Sequence, residues 1–238
     1  MKMLMIEVLR KSAPVATVLS VALLCGSAAL AGTVKACDAL NGPTPTSSVF
    51  PVDCTGMTAG ILEASMSAPF SYTTTAGTNN GFVYSAVYDD GGTMDFYYQV
   101  LNDASSSTAL ARLIATNFAG FTTDTAFRTD GSTLAGAGFA NGTIAPQTAD
   151  SNAVGSVIGF NFNQPLVSGE IFPGESSNVL IISTNATMFT AGSASVIDGG
   201  SSGTLAAFQP TNVPEPASVG LLGLGLIGLA SVRRRLCR

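Results

Sequence analysis

Phe82-Val83-Tyr84-Ser85-Ala86-Val87-Tyr88, then Asp89-Asp90-Gly91-Gly92, then Met94-Asp95-Phe96-Tyr97-Tyr98-Gln99-Val100 is the stretch that decides the fold. Both runs are rich in aromatic and β-branched residues and alternate with a period of two, which places successive side chains on opposite faces of a strand. The Asp-Gly turn between them has the residue types that a tight β-hairpin needs. Phe96 and Tyr98 fall on one face of the second run, and Asp95 and Tyr97 on the other. The pattern predicts that Asp95 and Tyr97 point outward.

Working outward, further strands are predicted over residues 57–66, 70–75, 109–118, 154–162, 178–184, 193–197 and 204–208. Turn signals fall between them at Asp130-Gly131, Asn141-Gly142 and Asp198-Gly199-Gly200. Residues 109–118 keep two readings. Leu110, Leu113 and Ile114 fit a helical face, whereas Thr116-Asn117 favour a strand. No repeat of fixed period is visible. The expectation is an all-β fold, a single antiparallel β-sandwich or jelly-roll-like domain. About 180 residues of such a domain bury roughly 70% of their unfolded surface without a structural metal.

The 238 residues are 46% hydrophobic and 11% charged, with 26 Gly, no His and no Trp. Most Lys and Arg sit near the two ends. Between residues 32 and 212 only Lys35, Arg112 and Arg128 oppose thirteen Asp and Glu, a net charge of −10. Such a body repels polyphosphate and anionic lipid, so nucleic acid is excluded as a partner.

Lys2, Arg10 and Lys11 precede an apolar stretch that ends in Ala29-Leu30-Ala31. This is the charged, apolar and small-residue order of a secretory signal peptide, cleaved after Ala31 by the general secretion machinery. The competing reading is an uncleaved N-terminal anchor. Lipid attachment at Cys25 is disfavoured by Leu24 before it. Export removes Cys25, and Cys237 lies past the C-terminal apolar run. Cys37 and Cys54 therefore remain as the expected disulfide of an oxidising compartment, within a loop-rich segment over residues 32–56. Two cysteines without histidine are too few ligands for zinc.

At the other end, Val213-Pro214-Glu215-Pro216 precedes an apolar run over residues 217–232 and then Arg233-Arg234-Arg235-Leu236-Cys237-Arg238. A helix over those 16 residues is about 24 Å long, shorter than the usual ~30 Å hydrocarbon core. Arg233, Arg234, Arg235 and Arg238 fix its end on the cytoplasmic side, which leaves residues 32–212 outside. The whole tail, residues 213–238, resembles the PEP-CTERM sorting signal. That resemblance implies recognition at Val213, Pro214, Glu215 and Pro216 by exosortase, transient anchoring in the inner membrane of a Gram-negative bacterium, and delivery to the cell surface or exopolysaccharide matrix. Residues 94–100 and 195–199 also resemble the bodies of some PEP-CTERM proteins, which implies no particular activity. The competing reading of the tail is an ordinary C-terminal anchor.

Candidate chemistry in residues 57–212 is sparse. Without His, no Ser-His-Asp or Cys-His system is possible, and Lys35 sits in a loop that suits no precisely held base. A pair of carboxylates for glycoside hydrolysis is not marked by any spacing, and the domain is expected not to be an enzyme. Asp89, Asp90 and Asp95 supply hard oxygens that calcium uses, with Asp103, Asp124 or Asp130 as helpers, although the spacing is not that of an EF-hand loop; a polar turn is the competing reading, and no other cofactor is indicated. All five tyrosines lie between Tyr72 and Tyr98. Tyr97, the one expected outward, is the candidate for stacking on a sugar, whereas Tyr84, Tyr88 and Tyr98 read as cross-strand core pairs. The sequence thus points to a non-enzymatic structural or adhesive domain, with a carbohydrate-binding module for matrix polysaccharide as the alternative and a carboxylate glycosidase as a weaker one.

Overall fold

The structure is a computed structural model that describes residues 49–164, 167–198 and 201–212. Thirteen strands follow in chain order: β1 (Val52–Asp53), β2 (Ile61–Thr74), β3 (Gly77–Asp89), β4 (Met94–Asn102), β5 (Arg112–Thr116), β6 (Thr123–Arg128), β7 (Thr148–Ser151), β8 (Val157–Asn161), β9 (Asn163–Gln164), β10 (Val167–Ser168), β11 (Val179–Thr184), β12 (Met188–Asp198) and β13 (Ser201–Thr211). Among the described residues the only helical turn is a 3₁₀ turn, Gly131–Thr133. The described residues are all-β apart from that turn, as the alternation predicts.

Six strands form one sheet in the order β1-β6-β11-β4-β3-β2, and five form a second in the order β13-β12-β5-β8-β7. Neighbours are antiparallel except β1 on β6, which is parallel. The decisive hairpin is present: β3 pairs with β4 from Asp89 opposite Met94 to Gly81 opposite Asn102. The Asp90 amide reaches the Thr93 carbonyl at 2.8 Å, and the Gly92 amide reaches the Asp89 carboxylate at 2.6 Å. Residues 109–118 resolve in favour of a strand, β5, which pairs with both β8 and β12.

The sandwich interior is built from the inward half of each alternation. Val83 and Val87 of β3, Phe96, Tyr98 and Val100 of β4, and Leu180 and Ile182 of β11 meet Leu113, Ile158, Phe160, Val196 and Ala207 of the second sheet. Phe96 packs edge-on against Phe118 at 5.6 Å. Tyr98 spans the gap, its hydroxyl donating to the Phe208 carbonyl at 2.7 Å, which gives the polar tip of a fully buried tyrosine the partner it requires.

The opposite face of the first sheet carries a second core. Ala86, Tyr88, Tyr97, Ala126, Val179 and Ile181 are buried there under Cys54, Leu134, Ala137 and Phe139. The loop between β6 and β7 lies across this face. Gln99 clamps it by accepting the Ala140 amide at 2.9 Å and donating to the Ala140 carbonyl at 2.8 Å, and Ser65 donates to the Gly136 carbonyl at 3.0 Å. Central strands of this sheet are therefore covered on both faces, and all six residues of β11 are buried.

Several expectations shift. The strand predicted over 57–66 begins at Ile61 and continues into the one predicted over 70–75, ending at Thr74, with an irregularity between Leu62 and Ala64. Asn141-Gly142 is no turn: a Cβ at Gly142 would stand 1.9 Å from the Ser177 carbonyl oxygen, so glycine is required there by a close backbone approach. Val49, bridged to Ala149, and β1 join the sheets, which extends paired structure into the segment 32–56. The strands β1, β6, β7, β9 and β10 were not foreseen.

Candidate functional site

Residues 57–60 carry no strand pairing and run between two clefts. The larger, about 640 Å³, is lined by Cys54, Gly56, Ile61, Asp89, Asp90, Gly91, Asp95, Tyr97 and Arg128 besides this segment. The smaller, about 320 Å³, is lined on the other side by Leu62, Tyr88, Thr133, Leu134, Ala135 and again Arg128. The sequence separates these residues widely. Pairing brings them together, because β11 holds β6, which ends in Arg128, beside β4, which carries Asp95 and Tyr97.

Arg128 is the hub. Its side chain is 4% exposed, and it donates to the two Asp130 carboxylate oxygens at 2.7 and 2.9 Å. Burial alone would pull its pKa down, but the Asp130 bonds and charge, with help from Tyr97, hold the guanidinium in its charged form. The same bonds to Arg128 lower Asp130 to about 2. A bidentate, mostly buried pair of this kind fixes both side chains. Asp130 also takes the Gly56 amide at 2.9 Å, tying the start of the dividing segment to the loop that follows β6.

Asp95 and Tyr97 are not outward, contrary to the reading of the alternation. They do lie on the opposite face from Phe96 and Tyr98, but that face is the second core. Asp95 is 6% and Tyr97 4% exposed. Tyr97 packs on Tyr88, with ring centroids 4.5 Å apart, so it offers no open platform for a sugar ring. Burial raises Asp95 to about 8, against bonds from Ser183 and the Thr184 amide that favour its ionised form, while Asp90 pushes it further up. At neutral pH Asp95 is mainly a protonated acid that can donate as well as accept. Burial also raises the Tyr88 hydroxyl, opposed by the nearby Arg128 charge. That hydroxyl is buried and has no hydrogen-bond partner.

The calcium reading is not supported by this arrangement. Asp89, Asp90 and Asp95 share one cleft, yet among the described residues no three acidic or sulfur side chains stand together as a metal-binding group. Asp89 is engaged in the hairpin turn, Asp95 is buried and bonded to β11, and the suggested helper Asp130 is committed to Arg128. Sequence reasoning missed Arg128, Tyr88 and the segment 57–60. Arg128 was detectable as one of three basic residues in an acidic domain, but nothing local linked it to Tyr88.

The remaining predicted positions, Ala29, Ala31 and Cys37, the motif Val213, Pro214, Glu215 and Pro216, the apolar run 217–232, and Arg233, Arg234, Arg235 and Arg238, lie outside the described residues. Cys54 is described and is 1% exposed. Among the described residues no helix is long and apolar enough to cross a membrane.

Comparison with known proteins bears on the tail. Residues 212–235 match a family model described as the PEP-CTERM protein-sorting motif. No curated protein and no solved structure matches the chain. The chain thus carries a PEP-CTERM motif, which implies exosortase-mediated sorting, export and a membrane-anchored signal in transit.

Proposed function

We propose that this is a non-enzymatic protein of the bacterial cell surface or exopolysaccharide matrix, delivered there by exosortase and deployed as a structural or adhesive β-sandwich. The sorting motif at residues 212–235 is the observation that carries the reading. The signal-peptide pattern ending at Ala31 supplies the entry step that such a tail requires. Pro214, Glu215 and Pro216 act as a substrate tag, and the arginines from Arg233 onward hold the helix end inside during handover. The chain has no His, which removes the commonest general base from the whole protein. Cys37 pairs with Cys54 in the oxidising compartment, closing a loop of about 17 residues.

Expression of the full chain in an exosortase-containing Gram-negative host, followed by intact-mass measurement of protein from surface and medium, tests the reading. The expected species begins at Gly32 and ends near Pro216. Neutral replacement of Arg233, Arg234 and Arg235 should impair that processing. A mature species that retains residues 217–238, or one unchanged by the arginine replacements, overturns the sorting role.

A further inference from the structure

We propose that the two clefts divided by residues 57–60 form one binding site for a neutral polyhydroxylated ligand, a sugar residue, which takes the hydrogen bond that the Tyr88 hydroxyl lacks. The inference goes beyond surface deployment and does not depend on it.

Four observations converge. Tyr88 is 3% exposed, lines the smaller cleft, and has a hydroxyl without a partner. Such a group costs free energy in the empty protein and is commonly a sign of an absent water, ion or ligand. Arg128 lines both clefts, so a molecule in either one meets the same fixed guanidinium. The divider is backbone outside any strand, ending in Gly60 and preceded by Gly56. Gly56 has φ +82°, and a Cβ at Gly60 would stand 2.0 Å from the Asp89 carbonyl oxygen, so the strap closes tightly over the end of β3. Finally, the larger cleft falls within the ~300–1,000 Å³ range of small-molecule sites.

The donors and acceptors choose the ligand class. An anion is repelled by Asp89 and Asp90, and Asp130 already compensates Arg128. A metal ion finds no group of three acidic or sulfur side chains among the described residues. A cationic ligand gains the Asp89 and Asp90 carboxylates only in the larger cleft, because the smaller one, where Tyr88 stands, has no carboxylate in its lining. An apolar ligand would strip water from Arg128, Asp89 and Asp90 without replacing its bonds. Hydroxyl groups donate and accept in any combination, and so match Asp95, the guanidinium and the Asp89 and Asp90 carboxylates in the larger cleft, and the unpartnered tyrosine hydroxyl beside the same guanidinium in the smaller.

Saturation-transfer NMR on the full-length chain in a sugar-free detergent tests this, with the methyl glycosides of glucose, galactose and mannose as neutral probes and glucuronate and glucosamine as charged ones. The expected result is transfer to at least one neutral glycoside, with affinity reduced about tenfold in Tyr88→Phe and unchanged in Tyr84→Phe, which lies outside both clefts. Tyr88→Phe removes one unpartnered oxygen and should unfold no earlier than the parent on heating. No transfer to any neutral probe, equal binding by Tyr88→Phe, or preference for a charged probe overturns the proposal. Export is read by mass, so failure here leaves the sorting reading standing.

Discussion

Replacing Asp95 by Asn should flatten the pH dependence of stability between about pH 5 and about pH 9. Asp95 is 6% exposed, and burial lifts its pKa from 3.8 to about 8. Because the folded pKa lies above the unfolded one, the folded state keeps a proton that the unfolded chain releases. Stability is therefore complete below about pH 4, falls as pH rises through the window, and levels off above about pH 8. A shift of about four units at ~1.4 kcal/mol each sets a ceiling of roughly 6 kcal/mol. Water entering the cleft that Asp95 lines lowers this, and a loss of at least about 2 kcal/mol across the window is the expected size. The chain has no His, so few other groups titrate there. Asn keeps a carbonyl for the Thr184 amide and can donate to the Ser183 hydroxyl. Urea unfolding followed by far-ultraviolet circular dichroism is the assay, since no Trp is available as a fluorescence probe. Parent protein of equal stability at both ends of the window, or a variant that declines as steeply as the parent, would refute the reasoning.

Three further outcomes are expected. Asp130→Asn removes the charge opposite a guanidinium whose side chain is 4% exposed, and should cost about 3 kcal/mol in urea unfolding near neutral pH. With Asp130 lowered to about 2, the parent loses this contribution as pH falls from about 4 to about 2, whereas the variant has none to lose. Tyr98→Phe deletes the 2.7 Å bond to Phe208 between the sheets and should cost about 1–2 kcal/mol without changing the dichroism spectrum. Cys37→Ser should lower the unfolding midpoint under oxidising conditions and leave it unchanged under reducing ones; equal oxidised midpoints would mean that no Cys37–Cys54 bond forms.

Strand type was legible where one alternating run was long enough to declare its period. The β3–β4 hairpin is the clearest case, because its alternation and its turn chemistry agree. Ends were less legible. Ser201–Thr211 and Met188–Asp198 run further than the apolar signal, since the ladder between them continues through Thr, Ser, Gly and Gln residues that carry no hydrophobic mark. Thr123–Arg128 escaped notice because Thr-Asp-Thr-Ala-Phe-Arg contains too few apolar residues to announce a strand. It is nevertheless held between β1 and β11, and pairing with neighbours overrides its weak intrinsic preference.

Asp95 and Tyr97 show why the site was not legible. Alternation assigns a side chain to a face, and it assigned both correctly to the face opposite Phe96 and Tyr98. It cannot say what covers that face. Val179-Leu180-Ile181-Ile182 held the missing clue, because an unbroken apolar run is the mark of a strand buried on both sides. If one strand of a sheet is covered twice, its neighbours are covered as well, and polar residues on their second face must then be partnered or must serve a ligand. Gln99 meets that demand by clamping the overlying loop, and Arg128 by pairing with Asp130. Asp95 meets it by keeping its proton and bonding to β11. Tyr88 alone of these lacks a partner for its polar atom, which makes that hydroxyl the place where a bound molecule would be felt first.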